Sequence, residues 1–105
     1  MITFDFNFTC KKFSGTDADP AVFAGKALLD IFDYSQGTDE TYLNKKADWG
    51  KTLNKEGQIK CDLTDAKKLM SIVKNSPVGF DFVRFRIIEF LEKRIKDCEV
   101  KENKK

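Results

Sequence analysis

The sequence predicts an α+β fold in which a small two-stranded sheet packs on three to four helices. An N-terminal segment with strict period-two alternation and a shorter alternating segment near the middle predict the strands, and amphipathic repeats predict the helices. The chain has 105 residues, 41% of them hydrophobic and 34% charged, which is enough apolar material for one core. We therefore expect a single α+β domain over residues 1–98 and a charged, flexible tail over residues 99–105.

The first strand is expected over residues 2–10, because apolar side chains alternate there with polar ones. The apolar positions are Ile2, Phe4, Phe6, Phe8 and Cys10. Four large side chains on one face represent too much apolar surface to leave in water, so this face must be covered. A second strand is expected over residues 58–63, where alternation returns at Ile59, Cys61 and Leu63. We expect the two strands to pair.

Four helices are predicted, over about residues 20–35, 39–54, 65–75 and 81–98. Asp19 is a suitable N-cap for the first helix, and Pro20 is favoured at its first position. That helix is expected to stop near Gly37. Thr38-Asp39-Glu40 is expected to open the second helix with a cap and two acids at the positive end of the helix dipole.

The third and fourth helices have their own sequence signals. Thr64 is the expected cap of the third helix. The fourth helix contains Glu89–Lys93 and Glu92–Lys96, which are favourable ion pairs at a spacing of four residues.

No enzyme active site can be recognised in the sequence. The absence of histidine excludes Ser-His-Asp and Cys-His nucleophilic systems and every zinc site that needs imidazole. Gly50-Lys51-Thr52 matches the end of a phosphate-binding loop, but it lies within a predicted helix and lacks the first glycine of the motif. We expect no catalytic residue, no metal and no cofactor.

Charge and cysteine content indicate the cellular setting. Nineteen basic against seventeen acidic residues leave a net charge of +2, which does not favour nucleic acid as a partner. No segment predicts a membrane span or a signal peptide. Three widely spaced cysteines, Cys10, Cys61 and Cys98, are expected to be free thiols in a reducing compartment, so we expect a cytoplasmic protein.

The fourth helix is the best candidate for a binding surface. Its hydrophobic residues cover more of the circumference than one buried stripe requires, and two arginines lie among them. The predicted interaction surface consists of Phe82, Arg84, Phe85, Arg86 and Ile88. Exposed aromatic residues flanked by arginine are typical of protein interfaces. The alternative is that this helix lies centrally and is buried all round.

The order of these features resembles a group of small, uncharacterised proteins of about this length that occur in bacteriophage and prophage genomes. The matching features are Phe4-Asp5-Phe6 through Gly15, Gly25-Lys26 to Leu29, Lys45 to Trp49, Leu53, Gly57 to Leu63, Asp65 and Leu69. The resemblance implies a phage or mobile-element origin in a bacterial cytoplasm, and it supplies no catalytic residue.

Three hypotheses about function follow from the sequence and the resemblance. The first is a non-enzymatic accessory protein that binds a host or phage protein, as an inhibitor of a host or defence factor or as an assembly accessory, with homo-oligomerisation as a possible mode. The alternatives are a nucleic-acid-binding accessory protein and a protein that sequesters a small anionic ligand.

Overall fold

The computed structural model describes residues 1–34 and 40–103 and has the predicted α+β architecture. Strands β1 (Ile2–Asp5) and β2 (Gln58–Cys61) pair antiparallel, with Phe4 opposite Ile59. The described helices are α1 (Ala24–Tyr34), α2 (Glu40–Glu56), α3 (Leu63–Lys74) and α4 (Asp81–Asn103). None of them is long and apolar enough to cross a membrane.

The N-terminal segment changes its hydrogen-bonding partner halfway along the predicted strand over residues 2–10. Regular pairing with β2 ends at Asp5, and the Phe6 amide donates to the Gly57 carbonyl at 2.8 Å. Beyond this point the partner is the chain that precedes α1: the Ala24 amide donates to the Phe8 carbonyl at 2.9 Å. Burial still alternates through Phe6 to Cys10. The predicted face is therefore correct, although the regular strand is shorter than predicted.

This change of partner also moves the start of the first helix. The helix begins at Ala24 and not at Pro20, so the predicted cap at Asp19 is wrong. The Cys10 amide donates to the Val22 carbonyl at 2.8 Å, and this bond holds the chain before α1 alongside the N-terminal segment. Long-range pairing has therefore overridden the local signal for a helix start at Asp19 and Pro20. The predicted end of this helix near Gly37 lies outside the described residues.

The third helix begins at Leu63, two residues earlier than predicted. Its N-cap is Asp62 and not Thr64, because the Asp62 carboxylate accepts a hydrogen bond from the Asp65 amide at 2.8 Å. The predicted start of the second helix at Thr38 and Asp39 lies outside the described residues.

Helix α4 continues beyond the predicted domain end at residue 98. It extends to Asn103, through most of the segment predicted to be a flexible tail. Within this extension the Glu99 carboxylate lies 3.0 Å from the Lys67 ammonium, which links α4 to α3. Of the predicted tail, only residues 104 and 105 lie outside the described chain.

A cluster of phenylalanines joins the first and last elements of the fold. The ring of Phe90 on α4 lies 6.3 Å from Phe4, 5.3 Å from Phe6 and 5.0 Å from Phe8, measured between ring centroids. We call Phe4, Phe6, Phe8 and Phe90 the phenylalanine cluster. Edge-to-face and tilted geometries at these distances are favourable aromatic contacts. The cluster places α4 directly on the apolar face of the N-terminal segment.

The turn between α2 and β2 depends on Gly57. Its φ is +71°, in the left-handed region, and a Cβ at this position would overlap the Asn7 side chain. The Asn7 amide group is held there by hydrogen bonds to Asp5 Oδ1 at 2.8 Å and to the Glu56 carbonyl at 3.2 Å. A residue with a side chain would therefore meet both backbone strain and a steric clash.

Gly57→Ala is expected to lower the free energy of unfolding by about 1–3 kcal/mol, measured by denaturant titration. Gly50→Ala is the matched control, because Gly50 is helical and an added Cβ would make only an ordinary contact, 3.8 Å from Leu29 Cδ2. This control is expected to leave stability unchanged or raise it by up to about 1 kcal/mol. Equal effects of the two changes would contradict the assigned role of Gly57.

Phe6→Ala is expected to destabilise the protein by about 3–5 kcal/mol, because Phe6 is 1% exposed and its ring packs on Phe4 and Phe90. Phe13→Ala removes the same atoms from a side chain that is 63% exposed, and its effect is expected to stay within about 0.5 kcal/mol. An unchanged melting temperature for Phe6→Ala would show that the N-terminal segment is peripheral to the core.

Candidate functional site

The core contacts of α4 determine which of its residues face outward. Val83, Ile87 and Leu91 are buried and belong to the main core. Of the predicted interaction surface, Phe85 is 43% exposed, whereas Phe82 and Ile88 are half-buried and pack on the edge of the core. The helix is therefore not buried all round.

Two further phenylalanines join this side of the helix. The Phe13 ring lies 5.4 Å from Phe85, and the Phe80 ring stacks on Phe82 at 5.8 Å with an interplanar angle of 9°. Phe13 and Phe80 are 63% and 68% exposed. Phe82 and Phe85 are three residues apart and so are neighbours on the helix surface. We call Phe13, Phe80, Phe82 and Phe85 the aromatic patch.

Arg84 has a structural role. Its Nη1 donates to the Ser76 carbonyl at 2.6 Å, and its Nη2 pairs with the Asp81 carboxylate. The Arg84 Nε is buried and lacks a hydrogen-bond partner among the described residues. These contacts fix the chain before α4, and with it Phe80, whose carbonyl accepts from the Val83 amide at 3.1 Å.

Arg86 positions the other half of the aromatic patch. Its Nε donates to the Lys11 carbonyl at 2.9 Å, and its Nη2 donates to the Lys12 carbonyl at 3.0 Å. Its guanidinium also lies 5.2 Å from the centroid of the Phe85 ring, which is within cation–π range. Arg86 therefore anchors the loop next to Phe13 and holds the two rings together.

The structure thus changes the roles of the predicted residues. The two arginines were predicted as contact residues beside the aromatics, but their guanidinium groups are used within the fold. Phe13 and Phe80 were not predicted as part of the surface. Phe80 directly precedes the predicted helix and could have been included on that basis. Phe13 could not, because it reaches α4 through long-range bonds from Arg86 to the loop.

A second polar feature, between α2 and α3, is internally satisfied. The Lys45 ammonium lies 2.7 Å from both carboxylate oxygens of Asp65, and this hydrogen bonding raises the pKa of Lys45. The Lys45 ammonium also lies 5.3 Å from the centroid of the Tyr42 ring. Because each charge already has a partner, the feature is best explained as a contact between helices.

The buried thiols are poor nucleophiles. Burial raises the pKa of Cys10 from 9.0 to about 11, and the smaller opposing effect of Arg86 does not offset it. Burial raises the pKa of Cys61 to about 12, with a further increase from the nearby Asp65 carboxylate. The thiolate is the reactive form, so both groups are almost entirely unreactive at neutral pH. Their predicted inward orientation is confirmed.

At pH 8 the native protein is expected to show one rapidly reacting thiol, Cys98, when titrated with Ellman's reagent, because Cys98 is half-buried and the other two thiols are buried and protonated. Cys98→Ser is expected to remove the rapid phase, and denaturant is expected to release Cys10 and Cys61. Rapid modification of the Cys98→Ser variant in its native state would show that a buried thiol is accessible.

Comparison with known proteins gives no relative from which a function could be transferred: no family model, no curated protein and no solved structure matches this chain. The phage origin implied by the sequence resemblance therefore stays a prediction. The function has to be inferred from the chemistry of the surface.

Proposed function

We propose that this protein is a non-enzymatic accessory protein that acts by binding another protein through the aromatic patch. The observation that carries the proposal is the contact pattern of Phe13, Phe80, Phe82 and Phe85, which form two adjacent ring pairs on one side of α4. Three of these rings, Phe13, Phe80 and Phe85, have exposed fractions between 43% and 68%. Contiguous exposed aromatic surface is costly in water and is typical of binding sites.

The patch is also preorganised for binding. Arg86 fixes the loop that carries Phe13, and Arg84 fixes the chain that carries Phe80. Rings that are already held in place lose little conformational entropy when a partner covers them. The partner best suited to this surface is a protein with an apolar side chain that can insert between the two ring pairs.

The biological setting is part of the same proposal. The sequence resemblance favours a bacteriophage or mobile-element protein that acts in the bacterial cytoplasm. Within that setting, the partner is a host or defence factor that is inhibited, or a phage protein whose assembly is assisted. Both roles require a binding surface and neither requires a catalytic residue.

Phe85→Glu is expected to weaken partner binding by about tenfold or more, because it places a charge at the centre of the patch. Leu43→Glu is the matched control, since Leu43 is an exposed apolar residue on α2, 59% exposed, and the change introduces the same charged side chain. Wild type and both variants would be compared by quantitative affinity capture from the bacterial host and by sedimentation, with circular dichroism as a check on folding.

The proposal requires a partner, or a second copy of the chain, that wild type and Leu43→Glu retain and Phe85→Glu loses. If all three proteins are monomeric and capture the same set of proteins, the patch is not a docking surface. If Phe85→Glu unfolds the protein, the milder Phe13→Ser tests the same surface from the loop, where the side chain is 63% exposed.

A further inference from the structure

A groove runs beside the aromatic patch and is distinct from it. Phe8, Thr9 and Lys11 form one wall, and the face of α4 that contains Arg86, Glu89, Phe90 and Lys93 forms the other. These α4 residues are spaced by three, four and seven positions from Arg86, so they share one side of the helix. The groove has a volume of about 620 Å³. That volume lies within the range of about 300–1,000 Å³ found for small-molecule sites.

Aromatic rings provide the apolar part of the groove. Phe8 and Phe90 both line it, with ring centroids 5.0 Å apart. Both side chains are half-buried, because Phe90 packs on Phe6 at 5.3 Å while the groove side of each ring remains accessible. The two rings form an aromatic floor whose planes are tilted by 55° to each other, so a planar group can stack on one ring and make an edge contact with the other.

The charged groups that line the groove are unbalanced. They comprise the cations Lys11, Arg86 and Lys93 and one carboxylate, Glu89. Glu89 lies 3.3 Å from Arg86 Nη1, so its charge is directed at a single cation. The groove therefore has an excess of two positive charges, whereas the entire chain has a net charge of only +2.

Each cation retains the capacity to bind a ligand. Among the described residues, no carboxylate lies within ion-pairing distance of Lys93. Lys11 pairs with Asp17 at 3.1 Å, but both side chains are more than half exposed, and such pairs are worth little and exchange readily. Arg86 uses one N–H of each terminal nitrogen in the bonds described above, and each of these nitrogens has a second N–H group.

From the aromatic floor and the cationic rim together, we propose that this groove binds a small organic anion in which a planar ring is joined to a phosphate or carboxylate group. The ligand ring stacks on Phe8 or Phe90 and meets the other ring with its edge, because the two ring planes are tilted by 55°, and the anionic group lies between Lys93 and Arg86. A simple inorganic anion would leave the aromatic floor in contact with water, and a neutral ring would leave the excess positive charge uncompensated. This binding site is separate from the proposed protein-binding role of the aromatic patch.

The test uses the full-length chain labelled with nitrogen-15 and two probes with this chemistry, adenosine monophosphate and 1-naphthoate. Amide shifts would be followed in two-dimensional NMR spectra during titration at low salt. Saturable shifts are expected at residues 8–11 and 86–93. Adenosine, which lacks the charge, and inorganic phosphate, which lacks the ring, are expected to bind at least about tenfold more weakly than adenosine monophosphate.

Lys93→Gln is expected to weaken binding of the two probes about threefold to tenfold, since it removes a charged donor from the groove. Lys96→Gln is the control: Lys96 is an exposed lysine of the same helix that does not line the groove. It should change the affinity by less than about twofold, as expected for a screened surface charge.

Three results would overturn the proposal. They are the absence of saturable shifts at the groove with either probe, binding of phosphate alone as tightly as the ring-containing probes, and equal effects of Lys93→Gln and Lys96→Gln. A fourth arm uses an eight-nucleotide thymidine oligomer. If only the oligomer binds, with a steep dependence on salt, the groove follows a nucleic-acid strand and the assignment to a small anion is wrong.

Discussion

The packing of Phe90 against Phe4, Phe6 and Phe8 is the interaction on which the rest of the structure depends. It joins the beginning of the chain to its last helix and so closes the fold over almost the full sequence. A two-stranded sheet is not stable in water by itself, and here α4 covers its apolar side. Because α4 is fixed by this contact, the orientation of its outer surface is fixed as well.

Both surfaces proposed to bind ligands are consequences of that placement. Helix α4 has more apolar residues than the small sheet and α3 can cover, so part of its aromatic surface faces solvent. The aromatic patch and the groove lie next to each other on the outer surface of α4. Arg86 lies at the boundary and contributes to both, because it holds the loop with Phe13 and also lines the groove. Its principal role is to position its neighbours.

The ion pairs of α4 show why the spacing of charges along the helix did not predict the charged groups of the groove. The sequence predicted an ion pair between Glu89 and Lys93 at four-residue spacing. In the structure Glu89 pairs with Arg86 instead, because two loop carbonyls hold the guanidinium close to it. Glu92 likewise lies 3.8 Å from Lys74 of α3. Lys93 is thereby left facing the groove. An exposed pair within a helix is worth a few tenths of a kcal/mol, which a tertiary contact easily exceeds.

The sequence alone determined the α+β class, the pairing of the N-terminal segment with the strand near residue 60, and the inward faces of Phe6 and Cys10. Period-two alternation reports burial directly, because consecutive side chains of an extended chain point to opposite sides. Tertiary structure decided where α1 begins, how far α4 extends, and that Phe13 meets Phe85. Each of these depends on bonds between residues far apart in the chain, such as that from Arg86 to the Lys11 carbonyl. Such bonds have no local signature, because their donor and acceptor are brought together only when the core has formed.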